Sequence, residues 1–262
     1  MSLPTNETYQ LLKNNTVVAS WYSDFQEICT MQRFYAEQLE SNSNTLILNE
    51  VESNHACKVL RLSIGEPIEI INGKGLIARA KIVVSHHKRC EVEIEKIEIH
   101  QKPEQQIHLA ICPTKGNDRF EWMLEKIVEI GVDSITPLIS ENSERNKLNY
   151  ERLGKIILSA TKQSLSAYMP KLMEQQKVAD FITVNKNALI AHCDSRFERE
   201  VLNAKHSSSE SIIMIGPEGD FSKKEIELAL HHGLKSVSLG NNRLRTETAG
   251  LVAVTLLKLS EI

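Results

Sequence analysis

The sequence predicts an α/β protein in two parts, a small β-barrel followed by a parallel-sheet domain, and three observations carry that prediction. The first is the stretch Ile212–Ala249, IIMIGPEGDFSKKEIELALHHGLKSVSLGNNRLRTETA, where two short apolar runs flank one capped helix. Continuous apolar runs of this length suit strands covered on both faces of a parallel sheet. The second is residues 33–100, where short β-rich runs alternate with turns, the pattern of a small barrel. The third is Gln101–Gln106, QKPEQQ, whose polarity and proline suit a linker between the two. The expected domains are therefore 31–100 and 107–262, with 101–106 joining them and 1–30 as an extension that fits poorly with the barrel pattern after it.

In the barrel, Thr45–Leu48, Pro67–Ile71, Leu76–Val84 and Cys90–Ile99 read as strands, and Asn72-Gly73 and Lys74-Gly75 as turns. A short helix is expected over Asn54–Leu60, with Ala56, Val59 and Leu60 on one face. In the second domain, Ile107–Cys112 is a strand leading through Pro113–Gly116 into a helix capped by Asp118, with Glu121 in register. Phe120, Met123, Leu124, Ile127 and Ile130 give that helix its apolar face, and Gly131 ends it. Ser134–Ile139 is a strand, Tyr150–Leu165 a helix, and Leu189–Cys193 a further strand.

The run Ile212–Ile215 stops at Gly216-Pro217-Glu218-Gly219, a turn made rigid by its proline and permitted by its glycines. Ser222 and Glu225 form a capping box, Ile226, Ala229 and Leu230 come next at helical spacing, and Gly233 supplies the stop. A second strand, Ser236–Leu239, ends at Gly240. The polar loop Asn241–Arg245 then enters a last helix from Thr246. A right-handed β-α-β crossover places Gly216 and Gly240 at the same carboxyl edge, where open α/β sheets bind ligands. The end of Leu189–Cys193 joins them if its strand lies beside Ile212–Ile215. The last helix is apolar nearly all round through Leu251, Val252, Val254, Leu256 and Leu257, so it is buried on more than one side, by a second copy or within the chain.

Composition bounds the function. No apolar run is long enough to span a bilayer and no signal pattern opens the chain, so the expected location is cytoplasmic. Cys29, Cys57, Cys90, Cys112 and Cys193 are odd in number and include no C-x-x-C, which points to reduced thiols without a disulfide framework or zinc site. The pairs His86-His87 and His231-His232 do not face one ligand together, so no metal is expected. A formal charge of −3 excludes coating nucleic acid by bulk electrostatics, and any RNA contact must come from a local patch. Between Ile70 and Cys90 lie Lys74, Arg79, Lys81, Lys88 and Arg89 with no Asp or Glu; the alternative is a solvated hairpin that happens to be basic.

IGPEGDFS followed by LGNNRLRTETA resembles the two signature loops of the bacterial 16S ribosomal RNA uridine-N3 methyltransferase family, within the SPOUT superfamily of knotted S-adenosylmethionine-dependent enzymes. Met31–Phe34 resembles the usual family start, and HACKVLRL its H-x-x-x-V-L-R element. Lys115-Gly116, the run from Lys126 to Val132, and Ala160-Thr161-Lys162-Gln163-Ser164 resemble further family segments. The chain departs at Asp220, where the family has a second glycine, at Ser166, where it often has arginine, and at Asn241 or Asn242, where it has a less polar residue. The resemblance implies a C-terminal trefoil knot, a PUA-like RNA-binding barrel, S-adenosylmethionine as cofactor, 16S rRNA or the small ribosomal subunit as partner, and a homodimer.

It also implies roles. The cofactor is expected at Ile215, Gly216, Pro217, Glu218 and Gly219 of one loop, Leu239, Gly240 and Leu244 of the other, and Arg245, Thr246, Thr248 and Ala249 at the last helix. Main-chain groups in such loops recognise adenine without charged side chains, and no dinucleotide G-x-G-x-x-G is present because no pyrophosphate need be cradled. RNA is expected at Arg33, His55, Arg61, Lys115 and Gln163 besides the basic stretch. The alternatives are packing for His55, a carboxylate partner for Arg61, and the solvated side of its surroundings for Lys115. Methylating uracil N3 requires loss of an imide proton and stabilisation of the resulting anion, for which Arg245 is the candidate cation and Glu218 or Glu247 the proton acceptor. Against this stands an Arg245–Glu247 ion pair, with Glu247 favouring its own helix N-terminus. His192 reads as a packing histidine. Two other functions compete: a ribose or transfer-RNA methyltransferase of the same superfamily, and an RNA-binding module that has lost catalysis through Ser166 and Asp220.

Overall fold

The structure, a computed structural model, describes residues 31–144, 147–203 and 208–259. The expected extension, 1–30, lies outside them. The chain forms two compact units, the first holding the chain up to Asn72 and Leu76–Ile99, the second Gly73–Gly75 and the chain from His100 onward.

The first unit contains β1 (Gln32–Tyr35), β2 (Thr45–Ile47), α1 (Glu50–Asn54), a π-helical turn (His55–Val59), β3 (Pro67–Ile71), β4 (Leu76–Val84) and β5 (Glu91–Ile99). Its five strands form one sheet in the order β1-β3-β4-β5-β2. Ile68 and Ile70 of β3, Ala78, Ala80 and Ile82 of β4, and Val92 of β5 face one core with Phe34 and Leu46, as the period of two requires. Register shifts between β4 and β5 bend the sheet around that core.

The helix expected over Asn54–Leu60 is displaced. It starts at Glu50, with the Asn49 side chain accepting from Glu52 N, and then widens into a π turn in which Leu60 N donates to His55 O at 2.9 Å. A π step rotates the following residues relative to an α-helix. Ala56 is buried while Val59 is 64% exposed, so the two do not share a face.

Arg33, expected to touch RNA, is instead structural. Its Nε and Nη2 both donate to Glu69 Oε2, at 3.0 and 2.7 Å, and both side chains are only 6% exposed. β1 and β3 run parallel with Arg33 opposite Glu69, which brings the two charges together.

The second unit contains β6 (Gln106–Ile111), α2 (Asn117–Ile130), β7 (Ser134–Ile139), α3 (Tyr150–Gln163), β8 (Lys171–Leu172), β9 (Gln176–Lys177), α4 (Val178–Val184), β10 (Leu189–Ala191), β11 (Glu200–Val201), β12 (Glu210–Ile215), α5 (Lys223–His231), β13 (Lys235–Ser238) and α6 (Thr246–Lys258). The sheet order is β11-β13-β10-β12-β6-β7-β8, with β9 pairing β7 beyond. These pairings are parallel. Alternate residues of β6 and β12 face opposite layers. Leu109, Ile111, Ile213 and Ile215 pack with α2, α3 and α6, whereas Ala110, Ile212 and Met214 pack with α4 and α5. Burial on both faces is why these strands read as continuous apolar runs.

One expectation changes here. Gly116, not Asp118, occupies the cap position of α2, and no side chain caps it; Asp118 lies inside the first turn, where an acid favours the helix dipole. The condition set for Leu189–Cys193 is met: β10 lies beside β12, between it and β13, so its end reaches the same edge.

Arg33→Met strands the Glu69 carboxylate in the first unit's interior, at an expected cost of about 3–5 kcal/mol. Replacing both partners by apolar residues recovers most of it. Chemical denaturation followed by a probe in the first unit measures both, and a single variant as stable as the wild type contradicts the assignment.

Candidate active site at the carboxyl edge

Three parallel strands end level: Ala191 of β10 pairs with Ile215 of β12 on one side and with Val237 of β13 on the other. Their following loops therefore leave the sheet side by side and enclose one cleft. Each loop is held by local chemistry. In the β12 loop, a Cβ on Gly216 would lie 3.0 Å from Phe221 N and so press on the turn, and Asp220 N closes it on Pro217 O at 2.9 Å. The Ser222–Glu225 capping box then starts α5 with both of its hydrogen bonds formed. In the β13 loop Gly240 has φ +116°, a backbone that side chains avoid.

The two signature loops are joined at α6. Thr246, 4% exposed, donates its hydroxyl to Gly216 O at 3.2 Å. Of the expected cofactor residues, Ile215, Gly216, Pro217, Glu218, Leu239, Gly240, Leu244, Arg245, Thr246 and Ala249 line the cleft. Gly219 and Thr248 do not. Gly219 backs onto Asn142, whose Nδ2 reaches its carbonyl at 3.4 Å. Thr248 points elsewhere because Thr246 and Ala249, three apart, share the cleft face of α6. The sequence did not identify Ala191, Cys193, Arg199, Asp220, Ser238, Asn242 and Arg243 as lining residues. The position of β10 was the available signal for the first two, whereas Arg199 carried none.

The charges at the rim are unequally engaged. Glu218 Oε1 accepts from Lys115 N at 2.9 Å, and Arg243 Nη2 reaches Glu218 O at 3.4 Å. The Lys115 ammonium pairs with Glu144 at 2.7 Å, an exposed and therefore weak pair. Arg245 is exposed at the cap of α6 and makes no ion pair among the described residues. The alternative Arg245–Glu247 pair is not formed, because Glu247 turns toward Arg119, Nε to Oε1 3.9 Å. Glu247 is 7% exposed at the second position of α6, and its Oε2 has no hydrogen-bond partner among the described residues.

His192 does more than pack. It is 4% exposed, lines the cleft, shares a hydrogen bond of 3.0 Å with Ser236 Oγ through Nε2, and meets Phe197 edge-on. Its Nδ1 has no partner among the described residues. Burial pushes its pKa below the ordinary imidazole value, as it does for His108, which bonds Thr136 at 2.7 Å.

The residues expected to touch RNA divide. Lys81 pairs with Glu95 and Arg89 with Glu91, so acid-rich β5 neutralises part of the acid-free stretch beside it. Arg79 is half-buried, facing Glu69 and Lys96 in register. Arg61 and Lys88 are exposed and carry no ion pair among the described residues; Arg61 stands at φ +57° just after the π turn, and the carboxylate partner given as its alternative is not found there. His55 is half-buried against Phe34 at 5.9 Å. Lys74 lies in the second unit opposite Tyr168, and Gln163 lines a separate groove with Glu125, Lys126 and Glu129. Among the described residues no His, Cys, Asp and Glu group could hold a metal, and no helix is long and apolar enough to cross a membrane.

The RNA methyltransferase domain family matches residues 100–258, and the RNA methyltransferase PUA domain family matches residues 48–95. Ribosomal RNA small subunit methyltransferase E of Buchnera aphidicola is 30% identical over 236 residues, covering 86% of this chain and 92% of the relative. The chain belongs to this RNA methyltransferase family. A probable rRNA-methyltransferase from Porphyromonas gingivalis, at 40% identity, superposes with a TM-score of 0.78 over 87% of this chain and 99% of its own. Ribosomal RNA small subunit methyltransferase E from Neisseria gonorrhoeae, solved bound to S-adenosyl methionine, is 29% identical with a TM-score of 0.74 over 87% of this chain and 97% of its own. Family membership accounts for the α/β architecture with a parallel sheet and a PUA-like unit.

Because burial lowers the pKa of His108 and His192, the unfolded chain binds more protons than the folded one as pH falls through about 6.5. Their contribution is thus fully present above neutral pH and is lost toward pH 5.5, with a slope of at most about 1.4 kcal/mol per pH unit for each histidine. Thermal unfolding between pH 5.5 and 8 is expected to show the decline, flattened in His192→Asn with His108→Asn. An unchanged slope in that double variant contradicts it.

Proposed function

We propose that the protein methylates N3 of a uridine in 16S ribosomal RNA with S-adenosylmethionine, using the cleft bounded by the ends of β10, β12 and β13. The observation that carries this is the level ending of those strands, with Thr246 tying the two signature loops together. The residues present fit the cofactor: Gly216 and Gly240 bring main chain to the cleft, Pro217, Leu239 and Leu244 give it apolar walls, and His192 offers a buried ring nitrogen without a partner among the described residues. The solved Neisseria relative, which holds S-adenosyl methionine, supports the same reading. When bound, the cofactor supplies a methyl group already activated on a sulfonium.

The chain's own residues orient and stabilise. Main-chain groups of Gly216, Leu239, Gly240 and Leu244 would hold the adenosyl part. Arg245, exposed at the rim, stabilises negative charge on the uracil carbonyl oxygens as the N3 proton leaves. Glu218 is the better placed acceptor for that proton, since it is exposed at the cleft whereas Glu247 is buried and turned to Arg119. A uridine inside paired RNA must first be extruded.

The first unit serves as the PUA-like RNA-binding domain, 31–100, joined by 101–106 to the methyltransferase domain, 107–262. Exposed Arg61 and Lys88 are its candidates for phosphate contact, and Lys74, Lys115 and Gln163 act from the second unit. The segment from Gly216 to α6 forms the superfamily's trefoil knot. The support is that β13 lies on one side of β12, whereas α6 returns to pack on β12, β6 and α2. A crystal-structure trace that pulls straight from its ends removes that element.

We also place a homodimer at α6, where Leu251, Val252 and Leu256 are only partly buried although Gly250, Ala253, Val254 and Leu257 pack inward. Light scattering at micromolar concentration is expected to give twice the chain mass, and a clean monomer contradicts it. For the activity, nucleoside mass spectrometry of small-subunit RNA from cells lacking the protein is expected to show loss of N3-methyluridine, restored on re-expression. Arg245→Ala is expected to lower kcat about 10²-fold while leaving cofactor affinity within about threefold. Ribose-methylated product, or no heat with S-adenosylmethionine in calorimetry, favours the competing functions instead.

A further inference from the structure

Asp220 stands where the family resemblance leads one to expect glycine, and its backbone has φ +66°, a left-handed conformation in which aspartate is tolerated better than most side chains. Its carboxylate is fully used. Oδ1 accepts from Phe221 N at 2.8 Å, within its own turn, and Oδ2 crosses to the next loop to accept from Cys193 N at 2.7 Å. On the other side of the same loop, Arg199 Nη1 donates to His192 O at 2.7 Å. That carbonyl and the Cys193 N–H belong to one peptide group. A single rigid amide is thus gripped at its acceptor end by a guanidinium and at its donor end by a carboxylate, each charge matching the peptide dipole it meets.

We infer that Asp220 and Arg199 are positioning residues that together hold the His192–Cys193 peptide as a fixed wall of the methyl-donor cleft. The inference rests on the reading of that cleft as the cofactor site. β10 is only three residues long, and among the described residues the chain leaving it makes no further strand pairing until β11; Ser236 and Phe197 hold the His192 side chain, and the clamp holds the peptide that follows it. The clamp fixes the backbone that carries the His192 ring, which Ser236 and Phe197 hold in the cleft beside Asp220 and Arg199. Asp194, next along the chain, pairs with Arg196 and takes no part in the clamp. Glycine at 220 would supply the same turn but no carboxylate, so this departure from the family adds a tether and removes no catalytic group.

The test uses the full-length protein without RNA. Affinity for S-adenosylmethionine is measured by calorimetry, and exchange of the Cys193 amide is followed in the ligand-free state. The variants are Asp220→Gly, Asp220→Asn, Arg199→Met and the double Asp220→Gly/Arg199→Met, each checked by thermal unfolding. Asp220→Gly and Arg199→Met are each expected to weaken binding about tenfold, the loss of one charge-assisted hydrogen bond. Asp220→Asn, which tolerates the left-handed backbone and keeps one acceptor oxygen, is expected to lose about threefold. The double variant is expected to lose about tenfold to twentyfold, not the hundredfold of independent sites, because both changes release the same peptide. Cys193 exchange should accelerate in every variant while β12 amides stay protected. Unchanged binding in both single variants, a multiplicative double variant, or unchanged Cys193 exchange overturns the inference. If Asp220→Gly does not fold, Asp220→Asn and Arg199→Met decide by the same readouts. A wild-type protein that binds no S-adenosylmethionine defeats the cofactor reading instead, and exchange then reports on the clamp alone.

Discussion

The hydroxyl of Thr246 bonded to the carbonyl of Gly216 is the contact on which the candidate site depends. It joins the loop after β12 to the first residue of α6, although the chain makes a helix, a strand and a second loop between them. Both groups are buried, so losing the bond would leave a carbonyl unsatisfied where water cannot easily replace the donor. The rest of the rim is built on that juncture. The start of α6 faces the cleft through Thr246 and Ala249, which places Arg245 at its lip and turns Glu247 inward toward Arg119.

The molecule separates cations that hold it together from cations that are left to act. Arg33 spends its charge on a buried carboxylate, and Lys81 and Arg89 face glutamates of β5. The basic stretch looked acid-free only because its acids belong to the next strand. Arg245, by contrast, is exposed beside a cleft with no carboxylate attached to it among the described residues. That open guanidinium is the basis on which we propose Arg245 as the cation for the uracil anion. The exposed pairs, such as Lys115 with Glu144, contribute little to stability.

Local chemistry was legible in the sequence, and pairing across the chain was not. The capping box at Ser222 and Glu225, the stops at Gly131 and Gly233, and the turns at Gly216 and Gly240 all depend on residues within a few positions of each other, and the structure forms them as read. Sheet order is a long-range property. Nothing in Ile212–Ile215 or Ser236–Leu239 announced that β10 would lie between them, and so the contribution of Ala191 and Cys193 to the cleft stood only as a condition on that order. Arg33 and Glu69 are 36 positions apart and were hidden for the same reason. The π turn was missed because a five-residue hydrogen bond leaves no distinct periodicity in so short a segment. Asp118 was misread as a cap because it has the right residue type two places inside the helix that Gly116 begins.

The central claim is that one crevice, formed where three parallel strands end together, holds the methyl donor. A crystal structure of the protein grown with S-adenosylmethionine tests it most directly. The donor is expected between the main chain of Gly216 and that of Leu239 and Gly240, with His192 on its flank and Arg245 open to the incoming base. A donor bound elsewhere, such as the groove lined by Lys126 and Gln163, or none bound at saturating concentration, would contradict it.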